Sequence, residues 1–378
     1  MKKEEGMEIF HKRSILYQAL PILLGLWLNL ICLVSRPAWA GTAMGDLAAS
    51  MQPGTWAELV TNNIGVLNQS GTDGNIIPYA ADAAWDPNSR KLLYVGNDHI
   101  DSVVSQADRF VLYNADTNSW QNMSPPPWSA PGVTDHGYYQ HGINTATGLM
   151  YRRGGKSSNV FYTYNIANNT WTALPPNNLI DNSAACCAGV DYFPELGGLV
   201  FAQGGDVGGG RLFLFNETAQ RWSTIAQNLS PMTGGTFTLG SYNPVYKVMV
   251  FGTSGAFYKV DSSGNVARLS NAPITFYDGT GYLSIVTVDP LSGQYLVLTA
   301  TDRQFYTYDV VTDMWRLQNN PTQPNLSSHS IIATPISNYG VVMFVACRAT
   351  TCRTYLYKHS STPPSSSLPS APVSLSIQ

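Results

Sequence analysis

Residues 154–171 read GGKSSNVFYTYNIANNTW, and residues 204–222 read GGDVGGGRLFLFNETAQRW. Each begins on a Gly pair and runs through an apolar-rich stretch to an aromatic residue followed by Asn. A Trp then stands seven positions after the aromatic: Tyr164-Asn165 with Trp171, and Phe215-Asn216 with Trp222. The same spacing recurs at Tyr113-Asn114 with Trp120 and at Tyr308-Asp309 with Trp315. A fifth copy keeps Val260-Asp261 but has Ala267 in the place of its Trp. A sixth begins at Tyr357 and runs into a Ser/Pro tail, and the Trp it lacks is found at the other end of the chain, at Trp56. Tandem units of this length imply a radially built β-protein, and the split sixth unit implies a ring closed by an N-terminal outer strand.

Upstream of each aromatic lies an apolar run: Leu92-Leu93-Tyr94-Val95, Leu149-Met150-Tyr151, Leu199-Val200-Phe201-Ala202, Val248-Met249-Val250-Phe251, Tyr295-Leu296-Val297-Leu298 and Val341-Val342-Met343-Phe344. Runs this short and this apolar read as strands buried on both faces. A further strand precedes each run and ends in a turn such as Asp86-Pro87-Asn88-Ser89 or Asp289-Pro290-Leu291-Ser292-Gly293,. Four strands per unit follow, with the Trp on the outermost. The order of apolar strand, Gly pair, Tyr and Trp resembles the Kelch repeat, over roughly residues 54–359. The resemblance implies an all-β fold, a six-bladed β-propeller of the galactose oxidase central-domain type. The repeat aromatics themselves are accounted for by packing between blades, and Asn or Asp by the turn it starts.

Around this domain the chain divides simply. Residues 1–40 hold a charged start ending in Lys12-Arg13, an apolar stretch from Ser14 to Val34, and Ala38-Trp39-Ala40, which together read as a secretory signal cleaved after Ala40, or else an uncleaved membrane anchor,. Residues 41–53 read as a linker and residues 360–378 as a disordered Ser/Pro-rich tail. The expected location is therefore secreted or periplasmic. Residues 1–40 contain five Lys/Arg and three Glu, so the remainder carries 16 positive and 21 negative residues, a balance that argues against a nucleic-acid partner,. Among the cysteines, Cys347 and Cys352 sit close enough in sequence to bridge a hairpin in an oxidising compartment. Cys186 and Cys187 are adjacent, and read as a vicinal disulfide or as free thiols,.

In a propeller, the loops between blades and those between second and third strands of a blade emerge on one face around the central channel, the default place for a ligand. Candidate ligand-binding residues there are Asp98, His136, Arg152, Arg153, Asp278, Tyr282, Arg303, His329 and Arg348. Eight of the sixteen cations after residue 40 fall on or beside the loops inside blades, which points to an electropositive mouth and an anionic glycan or acidic peptide,. Arg152 stands out, since other blades place apolar residues at its strand position and a buried charge needs a partner or a function.

The expected function is a monomeric recognition module for a glycan or protein partner. It calls for no cofactor, no metal and, if the N-terminal segment is cleaved, no membrane. Two enzymatic alternatives come from resemblance. Periplasmic sialic-acid mutarotases share the six-bladed Kelch scaffold and use an Arg with a nearby acid/base carboxylate, but no carboxylate is singled out among Asp98, Asp278 and Glu195. The galactose oxidase family binds copper through two His and two Tyr; the nearest look-alike, Ser328-His329-Ser330, lacks the Tyr before the His. No catalytic residue is assigned.

Overall fold

The Asn or Asp after each repeat aromatic starts a hairpin by accepting a backbone N–H two or three residues ahead. Asn114 takes Asp116 N at 2.9 Å, Asn165 takes Ala167 N at 2.9 Å, Asn216 takes Ala219 N at 2.8 Å and Asp309 takes Val311 N at 2.9 Å,. Five residues after each Tyr, an Asn or Asp in the left-handed region receives the phenolic O–H: Tyr113 to Asn118, Tyr164 to Asn169 and Tyr308 to Asp313, at 2.7–2.8 Å. The turn then returns the chain so that the Trp lies opposite the aromatic.

The computed structural model describes residues 41–98, 109–129, 136–155, 158–180, 187–204, 209–232, 237–253, 256–277, 282–319 and 323–359. These belong, apart from Gly41, to one compact unit that starts at Thr42. They form six four-stranded antiparallel sheets, the blades of a six-bladed β-propeller. Blade one is β2 (Ala84–Asp86), β3 (Lys91–Gly96), β4 (Arg109–Asn114) and β5 (Ser119–Asn122). Blade two is β6 (Gly142–Asn144), β7 (Leu149–Arg153), β8 (Phe161–Asn165) and β9 (Thr170–Ala173). Blade three is β10 (Gly189–Phe193), β11 (Gly198–Gln203), β12 (Gly210–Asn216) and β13 (Arg221–Leu229). Blade four is β14 (Leu239–Asn243), β15 (Val248–Thr253), β16 (Ala256–Asp261) and β17 (Val266–Arg268). Blade five is β18 (Ile285–Val288), β19 (Tyr295–Leu298), β20 (Phe305–Asp309) and β21 (Met314–Leu317). Blade six is β22 (Ser330–Ile336), β23 (Val341–Arg348) and β24 (Thr351–Lys358), with β1 (Thr55–Glu58) as its outer strand.

Register places Tyr113 opposite Trp120, Tyr164 opposite Trp171, Phe215 opposite Trp222, Tyr308 opposite Trp315 and, from the two ends of the propeller, Tyr357 opposite Trp56. In blade four Val260 faces Val266, one residue earlier than Ala267. The turn there is shorter, because Asp261 accepts from both Ser263 N and Asn265 N and Gly264 takes a φ of 82°,.

Residues 41–53, read from sequence as a linker, carry a helix, α1 (Ala43–Ser50), capped by Thr42, whose Oγ1 accepts from Gly45 N at 3.0 Å,. Met44 and Ala48 are buried in the cluster that also holds Leu92, Met343 and Leu356, so the segment closes the core of blades one and six. Residues 1–40 and 360–378 lie outside the described residues. Cys347 and Cys352 are bonded, and that bond suits an oxidising, extracellular environment,. Among the described residues no helix is long and apolar enough to cross a membrane.

The innermost strands are also stitched to one another. Ala81 N donates to Tyr138 O at 3.0 Å, Val190 N to Tyr139 O at 2.6 Å, Thr238 N to Cys187 O at 2.7 Å and Ala333 N to Ala81 O at 2.9 Å. These bonds join neighbouring blades along the channel wall and hold its lining residues in place.

Candidate functional site

At the loop end of the channel, four between-blade segments bring aromatic rings together. Tyr79 lies 4.7 Å from the His136 ring and stacks on Phe237 at 5.9 Å and 14°. Phe237 meets Tyr277 at 3.9 Å and Tyr138 at 6.0 Å. Tyr79, Phe237 and Tyr277 are half-buried, whereas Tyr138 and His136 lie beneath them, buried. Tyr79 and Tyr138 both take left-handed backbone, with φ of 55° and 46°. Such a conformation is costly for a bulky residue and persists where surrounding bonds impose it. Here Tyr138 N donates to Tyr79 O at 2.9 Å while Tyr138 O accepts from Ala81 N. Gly137 is needed beside them, because a Cβ there would come within 2.6 Å of Ala80 Cβ.

The residues picked out from sequence fall into separate groups. Arg152 is fully buried and forks inward: Nη1 donates to Gln140 Oε1 and Nη2 to His136 O at 2.8 Å. His136 in turn holds Asn97 O through Nδ1 at 3.1 Å. Asp98 is buried and anchors the segment before β2, accepting from Asp73 N at 3.0 Å while its own N–H goes to Gln69 Oε1. Arg153 is also buried, donating to Ser158 O at 2.7 Å and lying 5.5 Å over the Phe201 ring of blade three. Arg303 donates to Leu283 O at 2.8 Å, Thr299 O at 2.9 Å and His329 O at 2.6 Å, with its guanidinium 5.3 Å from the Tyr282 ring. His329 is half-exposed, its Nδ1 donating to Ser327 O at 2.8 Å. Arg348 is exposed at the tip of the β23–β24 hairpin.

The electropositive mouth expected from these arginines is therefore not what Arg152, Arg153 and Arg303 build. Each turns inward, because loop carbonyls left by irregular backbone need donors and the guanidinium supplies several in one plane. Asp278 and Cys186 lie outside the described residues. Cys187 is disulfide-bonded, and its backbone is left-handed at a φ of 67°.

The other end of the channel holds a cavity of about 270 Å³, lined by residues of all six innermost strands and of the turns that follow them. Tyr139 crosses the channel above it, its hydroxyl donating to Ser284 O and accepting from Val286 N at 2.9 Å in blade five. Asp82, His141 and Asp191 line the wall. His141 Nε2 lies 3.0 Å from Val95 N and 3.1 Å from Val95 O, and its Nδ1 is paired with Asp82 Oδ1 at 2.7 Å,. Burial, with nearby Arg152 second, holds His141 well below its usual range, so it is neutral,. Burial pushes Asp82 well above the usual carboxylate range. Asp191 accepts from Tyr192 N at 2.7 Å and Tyr242 N at 2.8 Å, yet burial still raises it to about 7,. Thr287 is another lining residue, and its Oγ1 is buried and without a hydrogen-bond partner.

Sequence reasoning pointed to the loop end and to His136 there, but did not pick out Tyr79, Phe237 and Tyr277 as site residues and passed over the turn end. Asp82 had a signal, a single carboxylate inside Ala80-Ala81-Asp82-Ala83-Ala84, where a charge interrupts an apolar strand,. Tyr79, Phe237 and Tyr277 had none, since they sit in loops of different lengths and meet only in the closed ring.

No family model matches the chain, and no curated protein matches it significantly. By contrast, 756 chains of solved structures match, so the architecture is widely shared and cannot by itself name a function,. One is a structural genomics protein of unknown function from Bacteroides thetaiotaomicron, with a TM-score of 0.54 and 14% identity over 80% of this chain and 75% of that one. Another belongs to a nidogen/laminin complex, with a TM-score of 0.45 and 5% identity over 63% of this chain and 79% of that one. The similarity is one of fold: a β-propeller, an architecture that commonly serves as a binding module.

Proposed function

We propose that this protein is an exported, Kelch-type propeller that recognises a neutral glycan at the loop end of its channel. The observation that carries this reading is the convergence of Tyr79, Phe237 and Tyr277 from three between-blade segments, half-exposed and in mutual contact over the channel. A sugar ring offers an apolar C–H face that packs on such rings, while its hydroxyls bond to polar groups around them. The left-handed Tyr79 fits the role, since strain is retained where a side chain must be held in one place,. Neutral glycans are favoured over anionic ones because Arg152, Arg153 and Arg303 are turned inward. Export is supported by the Cys347–Cys352 bond together with the leader-like residues 1–40,. The Kelch reading is supported by the Tyr–Trp register of the blades.

A glycan array probed with the purified protein tests this. Binding to one class of neutral glycan is expected, with loss of that signal in Tyr277→Ala and an unchanged melting temperature. An array without signal, or a signal indifferent to Tyr79, Phe237 and Tyr277, would overturn the reading and favour a protein partner.

A further inference from the structure

The cavity at the turn end of the channel is chemically unlike the aromatic cluster at the loop end. Its charge-bearing groups are the two carboxyls of Asp82 and Asp191, and no Lys or Arg stands among its lining residues. Each oxygen of Asp191 takes one backbone N–H, at 2.7 and 2.8 Å, which leaves each a further lone pair,. Asp82 pairs with His141 Nδ1 through Oδ1 and keeps 17% of its side-chain surface exposed. His141 has both ring nitrogens occupied, Nδ1 by Asp82 Oδ1 and Nε2 by the Val95 backbone. Tyr139 donates its own hydroxyl proton across the channel to Ser284 O. Thr287, also a lining residue, is 3% exposed and its Oγ1 lacks a partner. Such a buried hydroxyl marks a place where a hydrogen-bond partner is wanted, and it can accept from a ligand as well as donate to one. The rest of the lining is apolar or aromatic: Ile143, Val286, Tyr242, Pro244 and Pro290.

We infer that this cavity binds a small organic ammonium ion, its charged head against Asp82 and Asp191 and donating to Thr287 Oγ1, its apolar body along the prolines and Tyr242. An ammonium group brings donors for the carboxyl oxygens and for Thr287 Oγ1, and its charge answers two carboxyls that no cation of the lining neutralises,. Arg152 is within electrostatic reach of Asp82, but its fork is turned to Gln140 and His136 O, away from the lining. The aromatic lining adds cation–π attraction for the same class of ligand. At about 270 Å³ the space admits a single ring or a short alkyl chain and no more,. The site is independent of the glycan reading, since it lies at the opposite end of the channel from Tyr79.

Calorimetric titration of the full-length protein above neutral pH with benzylammonium, and separately with benzyl alcohol, tests the inference. Saturable binding of benzylammonium is expected, with benzyl alcohol weaker by on the order of tenfold or more. Asp191→Asn should weaken benzylammonium by a similar factor, and Thr287→Val by roughly threefold to tenfold, the worth of one hydrogen bond. Phe237→Ala should leave benzylammonium untouched. Equal affinity for the two probes would overturn the inference, as would loss of benzylammonium binding in Phe237→Ala, which would place the amine among the loop-end aromatics. If Asp191→Asn fails to fold, Thr287→Val decides: unchanged affinity in that variant would overturn the site. Failure of the glycan array leaves this titration unaffected, so the two readings fall separately.

Discussion

Trp171 of blade two stands edge-on to Phe110 of blade one, with ring centroids 5.3 Å apart and planes at 65°. The same pairing joins Trp222 to Phe161 at 4.7 Å, Trp315 to Phe257 at 5.8 Å and Trp56 to Phe305 at 5.6 Å. In every case the Phe stands three residues before the repeat position of the preceding blade, which is Tyr113, Tyr164, Val260 or Tyr308. Where the following blade lacks its Trp, as blade four does, blade three has Leu212 at that position. Blade six has Thr354 at that position, and Trp120 of blade one is held instead by Thr61, whose Oγ1 accepts its indole N–H at 3.2 Å. The repeat Trp is therefore one half of a contact whose other half lies a blade away.

A double-mutant cycle with Phe110→Leu and Trp171→Leu should give a coupling of about 0.5–1.5 kcal/mol, the usual worth of an aromatic pair beyond its buried area. Denaturant midpoints of the four proteins measure it. A coupling indistinguishable from zero would mean that the two rings are merely neighbours.

Arg152→Ala should destabilise the protein by about 3 kcal/mol, because Gln140 Oε1 and His136 O are left buried without their donor,. Arg152→Lys should recover only part of this, since one ammonium cannot reproduce the planar fork. Arg348→Ala, at an exposed hairpin tip, should change stability by no more than about 0.5 kcal/mol,. Comparable losses for Arg152→Ala and Arg348→Ala would refute the structural role assigned to Arg152.

How much of this was readable beforehand follows from the range of each interaction. The blade count, the strand order and the Cys347–Cys352 pair were legible because Tyr–Trp spacing, apolar runs and a short hairpin are local. The shift from Ala267 to Val266 in blade four was not, since it depends on how Asp261 closes its turn. The helix over Ala43–Ser50 was missed although Thr42 is a good N-cap, because a short Ala-rich segment declares itself only when Met44 and Ala48 find a core,. Arg152 stood out in the sequence as a charge at an apolar strand position, but sequence could not tell an inward fork from an outward one. The two channel ends are assembled from residues of many blades, and only ring closure brings them together.

Replacing both Cys347 and Cys352 by Ala should cost at most about 2 kcal/mol, the chain-entropy value for so short a loop,. The bonded pair already faces itself across the β23–β24 ladder, which runs from Val342↔Tyr357 to Arg348↔Thr351, so the hairpin keeps its register without the bond. The double variant is the proper comparison, since reductant would also reach the disulfide of Cys187. A collapse of folding would assign the bond a larger role.

The buried carboxyls set a pH dependence. Asp191 titrates near 7 when folded and in the ordinary range, about 4, when unfolded, so between those values the folded state holds the extra proton,. Its contribution is present in full below about pH 4 and is lost as pH rises through 7. Asp82, raised in the same sense, adds to that trend; His141, lowered, opposes it by withdrawing stability as pH falls below about 6.5,. Arg152 lies near Asp82 and His141, and the phenols of Tyr139, Tyr242 and Tyr295, which lie near Asp82 or Asp191, are all raised by burial and stay uncharged in this window. Asp191→Asn should therefore fall away less steeply than the wild type between pH 4 and 7. Identical slopes in melting temperature against pH would show that Asp191 is not the group responsible.

Tyr79 offers a test of whether strain and recognition are linked. Its φ of 55° is one that Gly adopts freely and that a residue with a Cβ resists by about 1 kcal/mol,. Tyr79→Ala and Tyr79→Gly remove the same ring, so their difference reports the backbone alone. The Gly variant should be the more stable by about that amount, and both should lose glycan binding equally. Two equally stable variants would mean that the bonds from Tyr138 N and around Ala81 hold the left-handed turn without strain. A variant that kept its glycan would separate the ring from recognition altogether, and with it the reason for holding a tyrosine where glycine fits better.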